Sequence, residues 1–242
     1  LEGGDGMKII VGVIAHESDG FSEMVKAAQE TCYKNPPQEF EVFYIYGASE
    51  AFDDWQKVEI HGNHFRCHTP ENRKNILRKT VAFFEYCLNN KSFDYILRPN
   101  IGSYIDLPIY KKYLIDNDFT SPPKNKIYFG PKALFKKGEH QWWYASGSGY
   151  LISKDIVKAI VKNASKLEYK GIIDDCAIGK FITQDLNINV RGGATRKGTR
   201  HEEITNSLVD EKSYHYHFDH RNEEAGIRKD CFYKLHELIE SR

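Results

Sequence analysis

Three short apolar runs, residues 8–14, 40–46 and 93–97, each end at a polar loop, and helix-patterned stretches lie between them. Runs that are apolar on both faces suit strands buried between two layers, and helices between strands impose parallel connections. The pattern predicts an α/β fold with a mostly parallel central sheet, helices on both faces and a single domain over residues 7–242. The first two helices are expected at 21–33 and 71–88, the second with Ile76, Leu77, Val81, Phe84 and Leu88 along one face. Residues 58–65 read as a weaker strand. Ligands of such sheets bind beyond the carboxyl ends of the strands. That places His16, Glu17 and Ser18, and the loop from Arg98 to Tyr104, on the working edge.

The second half carries two unlike signals. Ala145-Ser146-Gly147-Ser148-Gly149 is a small-residue turn that runs into an apolar strand ending at Ser153. Glycines there let backbone approach a ligand closely. Downstream, Gly171-Ile172-Ile173-Asp174-Asp175 opens a helix expected to reach Gln184. A carboxylate at a helix start either serves a site or caps the helix. Around these signals the reading places helices at 110–115, 155–167 and 230–239, and strands at 126–129 and 187–190. Residues 130–144 read as an aromatic loop, and the basic, Gly-rich 191–200 as irregular. His215 and His217 alternate, which on a strand puts both on one face.

Lys+Arg and Asp+Glu both total 34, so no global charge draws the chain to nucleic acid or to a membrane. No apolar run reaches the roughly 18 residues of a membrane-spanning helix. The five cysteines are scattered, as free thiols of a reducing compartment would be, and a cytoplasmic protein is expected. Residues 1–6 read as a vector-derived remnant before Met7, with no signal peptide. His61, His64, Cys67 and His68 lack a second ligand pair at zinc-finger spacing, so zinc is not expected there.

Three blocks, Leu97 to Asp106, Ala145 to Ser153 and Asp174 to Gly179, occur in an order that resembles a known family. It is the β-1,3-galactosyltransferase and Fringe-like group of GT-A glycosyltransferases, with its small viral and bacterial relatives. The resemblance implies a GT-A (Rossmann-like) domain. It also implies transfer from a nucleoside-diphosphate sugar, UDP-linked in this group, to a glycan acceptor, with inversion and with Asp175 as general base. On the donor side it places His16, Glu17 and Ser18 over base and ribose, and Arg98, Asn100 and Gly102 toward the diphosphate; Arg73 or Arg78, on the helix before the Arg98 strand, is a further candidate to reach a phosphate. His215 or His217 corresponds to a late histidine near the diphosphate. On the acceptor side it places Trp142, Trp143, Gly147, Ser148, Gly149 and Asp174. Where the group has three aspartates that hold Mn²⁺ or Mg²⁺, this chain has Asn100, Ile101 and Gly102. A divalent cation is therefore expected to matter less, with His215 and His217 the metal candidates if there are any, and the basic 191–200 loop supplying charge instead.

Each assignment has a plainer counterpart. Asp174 or Asp175 caps its helix, residues 99–102 form a tight turn, the tryptophans fill core, and the histidines pack. The rival to an enzyme is a non-catalytic GT-A-like protein that binds a nucleotide or a glycan. A nucleotidyltransferase would want a basic Gly-rich loop after the first strand, and residues 15–20 are acidic instead.

Overall fold

In the computed structural model the described residues are 6–48, 54–119, 124–167, 172–192, 196–218 and 225–241. Residues 1–5, Gly171, residues 193–195 of the basic loop, and Asp219 and His220 lie outside them. The strands are β1 (Ile9–Ile14), β2 (Phe40–Ala48), β3 (Asp54–His61), β4 (His64–Pro70), β5 (Tyr95–Arg98), β6 (Ser103–Ile105), β7 (Tyr128–Phe129), β8 (Lys132–Lys137), β9 (His140–Ala145), β10 (Tyr150–Ser153), β11 (Lys197–Thr199) and β12 (His215–Phe218). The helices are α1 (Asp19–Glu30), α2 (Ile76–Asn90), α3 (Leu107–Asp116), α4 (Lys154–Lys162), α5 (Asp174–Lys180) and α6 (Ala225–Glu240).

Seven strands form one sheet in the order β3-β4-β2-β1-β5-β10-β7. Its middle, β4-β2-β1-β5, is parallel; β3 on one flank and β10 on the other run against it, and the edge strand β7, antiparallel to β10, returns to the direction of the middle. Alternation along β1 sorts the core: Ile9, Val11 and Val13 face a layer with α1, α3 and α6, and Ile10 and Ile14 face one with α2, α4 and α5. Gly12 lies on the second face, where an added Cβ would stand 2.6 Å from the Phe83 ring. A smaller sheet, β11-β12-β6, stands beside the main one.

Four expectations change. Residues 58–65 are not one strand, because Gly62, at φ 61°, turns the chain between β3 and β4. A two-residue connection of this kind favours left-handed backbone. Residues 130–144 are not a loop: β8 and β9 form a hairpin around Gly138, at φ 60°. Phe135 stacks on Trp142 at 4.1 Å on the hairpin's inner face. Residues 187–190 form no strand; Val190 packs into the core and the next residue, Arg191, makes a single bridge to Phe129. Residues 197–199, inside the stretch read as irregular, do form a strand.

Candidate active site

The site grows from the end of β5. Its neighbour β10 runs back antiparallel with Tyr150 opposite Arg98, so the turn before β10 sits over the carboxyl end of β5. Asn100 N–H donates to the Gly147 carbonyl at 3.0 Å. Arg98 Nη1 donates to Asn100 Oδ1 at 2.8 Å and to the Gly147 carbonyl at 2.9 Å, and Nη2 pairs with Asp174. Asp175 accepts from Gly147 N–H at 2.7 Å and from Cys176 N–H at 2.9 Å. A Cβ on Gly147 would lie 2.6 Å from Arg98 Nη1 and 3.1 Å from Asp175 Oδ2, so the convergence requires glycine there. Three blocks far apart in sequence thus meet at one turn.

The two aspartates are not equivalent. The N-cap of α5 is Ile173, so neither carboxylate occupies the capping position. Asp174 faces a guanidinium with no exposed surface. Burial lifts the Asp174 carboxyl above its usual range; Arg98 opposes this and Asp175 adds to it. Gly179, late in the same helix, lets α5 reach β9: a Cβ there would stand 2.3 Å from Tyr144 Cβ.

The histidines lie on the other side of the turn. β12 pairs with β6, bringing His217 Nδ1 within 3.0 Å of Ser103 Oγ, with its ring beside Gly102. A Cβ on Gly149 would come 3.0 Å from His215 Cε1. His215 is buried, and burial, then His217 and Arg196, lowers its pKa to about 3, so the ring is neutral. Three buried polar atoms at this turn, Arg98 Nε, Ser148 Oγ and His215 Nε2, have no hydrogen-bond partner among the described residues.

After β1, Ser18 N–H donates to His16 Nδ1 at 3.0 Å, and Glu17 pairs with Arg66 of β4, which holds the Glu17 carboxyl below its usual range. Behind this loop is a pair the sequence reading passed over. Lys79 Nζ, buried, donates to the Ala15 carbonyl at 2.8 Å and to Glu71 Oε1 at 2.5 Å, while Glu71 Oε2 accepts from Gly47 N–H. Burial depresses the Lys79 ammonium and Glu71 opposes this. The signal was present: Lys79 is three residues past Ile76 and four before Phe83, on the apolar side of α2.

Several assignments need correction. Arg98 has no surface to offer a diphosphate; it is a buried strut. Asp174 spends its charge on Arg98 and is not free for an acceptor. Trp142 is buried, with Phe135 on its ring, Lys180 over it, and Nε1 donating to the Cys176 carbonyl at 3.0 Å. Trp143, at 47% exposure, is the open member of the pair. Arg73 is exposed in the 3₁₀ turn after β4 and has no hydrogen bond or ion pair with this cluster. In the basic stretch, Lys197 pairs with Asp210, and Arg196 is the residue whose charge reaches His215. Asp106 caps α3, accepting from Ile109 N–H at 3.1 Å. Asn100, Gly102, Gly147, Gly149, Asp175, His215 and His217 lie around this one turn.

The residues do not fit a carboxylate-held divalent cation. Asn100 is engaged with Arg98, Ile101 is buried and Gly102 has no side chain. Among the described residues no three His, Cys, Asp or Glu side chains converge.

No family model matches the chain. The human UDP-GalNAc:beta-1,3-N-acetylgalactosaminyltransferase 2 is 27% identical over 123 residues, covering 45% of this chain. This chain matches only 24% of that protein's length. Among solved structures, a glycosyltransferase involved in glycosylation of the major capsid of PBCV-1 superposes with a TM-score of 0.53 at 9% identity. That superposition covers 93% of this chain and 98% of the other. The galactosyltransferase LgtC, solved with donor and acceptor sugar analogs, gives a TM-score of 0.49 at 12% identity, over 96% and 95% of the chains. With the full-length superposition on the capsid glycosyltransferase and the convergence of the three blocks at one turn, the chain has the GT-A glycosyltransferase fold.

Proposed function

We propose that the chain transfers a sugar from a nucleoside-diphosphate donor, UDP-linked, to a glycan acceptor with inversion, and that Asp175 is the general base. The observation that carries this reading is the carboxylate of Asp175, oriented by two backbone N–H groups at the edge of the Gly147 turn. Each oxygen accepts one backbone N–H, and a carboxylate offers about four lone-pair sites, so one remains to receive a proton. In the reaction the acceptor hydroxyl gives its proton to Asp175 as its oxygen bonds to the anomeric carbon. The bond from that carbon to the diphosphate breaks, and the nucleoside diphosphate leaves with the electron pair. Asn100, Gly102 and His217 face the donor, and Trp143 is the aromatic left to an acceptor. With no carboxylate at 100–102, Arg196 and His217 take over part of the charge neutralisation.

The test begins with a panel of nucleotide sugars, since a donor that binds only the folded state raises the melting temperature. With that donor, Asp175→Asn is expected to lower turnover by about 10²–10⁴ while leaving donor affinity nearly unchanged. Donor affinity is expected to survive chelation with EDTA. Turnover near the parental rate in Asp175→Asn removes this residue as the base. A parent chain that binds a donor and transfers it to no acceptor in a broad set supports instead the non-catalytic binding reading, which the absent carboxylates favour.

A further inference from the structure

The β8–β9 hairpin has two faces, one packed on the fold and one outward, and of the outward one the function proposed above uses only Trp143. Its inner face, with Phe135, Trp142 and Tyr144, packs on α5 and leads through Ala145 into the Gly147 turn. On the outer face Leu134 and Trp143 are cross-strand partners, 37% and 47% exposed. Two large apolar side chains are thus side by side in water. Lys132 lies over the Trp143 ring at 4.4 Å, and Lys136, opposite Gln141, extends the same face. Lys137 follows at the hairpin tip, where alternation sets it on the opposite face beside His140. Across residues 132–145, three lysines stand against one carboxylate, Glu139. Among the described residues none of these lysines is paired with a carboxylate. The chain as a whole is neutral, so this positive excess is local.

We propose that the outer face of this hairpin docks on an anionic lipid surface, with Trp143 and Leu134 entering the headgroup region, Lys132 and Lys136 meeting lipid phosphates, and Lys137 adding charge from the tip. Tryptophan is at home at a membrane interface because one part of it is apolar and its N–H stays wet. Lysines carry their alkyl stems into the boundary while the ammonium stays in water. A sugar stacking on Trp143 would use that ring, but it has no use for the adjacent Leu134 or for the ammonium groups of Lys132 and Lys136. The lipid surface accounts for all four side chains. No helix among the described residues is long and apolar enough to cross a membrane, so the attachment would be peripheral. Because the hairpin runs directly into the candidate active-site turn, docking would set that turn close to the bilayer plane.

The experiment is sedimentation of the full chain with vesicles of phosphatidylcholine, with and without phosphatidylglycerol, in the absence of any donor or acceptor. It therefore succeeds or fails independently of the transferase reading. Binding to the anionic vesicles, with a blue shift of tryptophan emission, is expected. Leu134→Ser/Trp143→Ser should abolish both, and Lys132→Gln or Lys136→Gln should each weaken binding about fivefold. All four side chains are exposed, so circular dichroism and melting temperature should match the parent. The proposal is overturned if the parent ignores anionic vesicles or if the Leu134/Trp143 variant binds them equally well. Dextran sulfate bound by the parent without vesicle binding would identify a soluble polyanion site instead and would also overturn it.

Discussion

Asp174 aims its carboxylate at a guanidinium that has no exposed surface, so removing the acid strands a cation away from water. Asp174→Asn is therefore expected to destabilise the fold by about 3–5 kcal/mol, the cost of breaking a buried pair from one side. Loss of a helix-start cap would cost about 1 kcal/mol. Urea unfolding distinguishes the two. His215 makes a pH prediction with a definite sign. Its folded pKa, about 3, lies below the ordinary 6.5, so between those values the unfolded chain binds more protons and stability is lost as pH falls. Relative to the parent, His215→Gln should gain up to about 1.4 kcal/mol per pH unit as pH drops below the ordinary histidine value. Parallel unfolding curves at every pH would refute this. At this scale the sequence located the residues better than it divided their work. The Asp174-Asp175 pair was visible, but adjacent identical letters cannot say which one meets Arg98. Arg98 was assigned to a phosphate because burial is invisible in a charged residue's letter.

At the scale of elements, the position of α5 depends on a missing side chain. Gly179→Ala would place a methyl group 2.3 Å from Tyr144 Cβ and 3.0 Å from the Tyr128 hydroxyl. Overpacking of this kind costs about 1–3 kcal/mol. Because α5 carries Asp175, turnover should fall along with stability. Gly192→Ala, with nothing among the described residues within 4 Å of its added methyl, is the control expected to leave stability unchanged. The parallel middle of the sheet was legible because β1, β2 and β5 are apolar on both faces, a pattern few alternatives share. The hairpins were not. In β8 Leu134 lies between Lys132 and Lys136 on one face and in β9 three aromatics are consecutive, so hydropathy alone does not distinguish a half-exposed strand from a polar loop. In β3–β4 the turn glycine was absorbed into a run read as one strand.

At the scale of the whole molecule, the Lys79–Glu71 pair joins three strand ends, through the Ala15 carbonyl after β1, Gly47 N–H in β2 and Glu71 after β4. Lys79→Met leaves the Glu71 carboxylate largely buried without its counter-charge and is expected to cost about 3–5 kcal/mol. Adding Glu71→Gln should recover part of that loss, which a double-mutant cycle by thermal and urea unfolding would measure. Additive losses would show that the two side chains act separately.

The cluster around Arg98 also bears on the order in which the chain can fold. Arg98 has partners 2, 49 and 76 residues further along. A chain synthesised from its amino end completes β5 long before Asp174 exists, and during that interval the guanidinium has no counter-charge. The centre of the sheet cannot close dry over it, since a buried unpaired cation is too costly. Closure waits for α5, so contacts remote in sequence govern the last step, as is usual in slow-folding mixed sheets. A product truncated before Asp174 would remain open and exposed to proteolysis. The residues that shape the candidate active site thereby make its assembly a check that the chain has been made at least through α5.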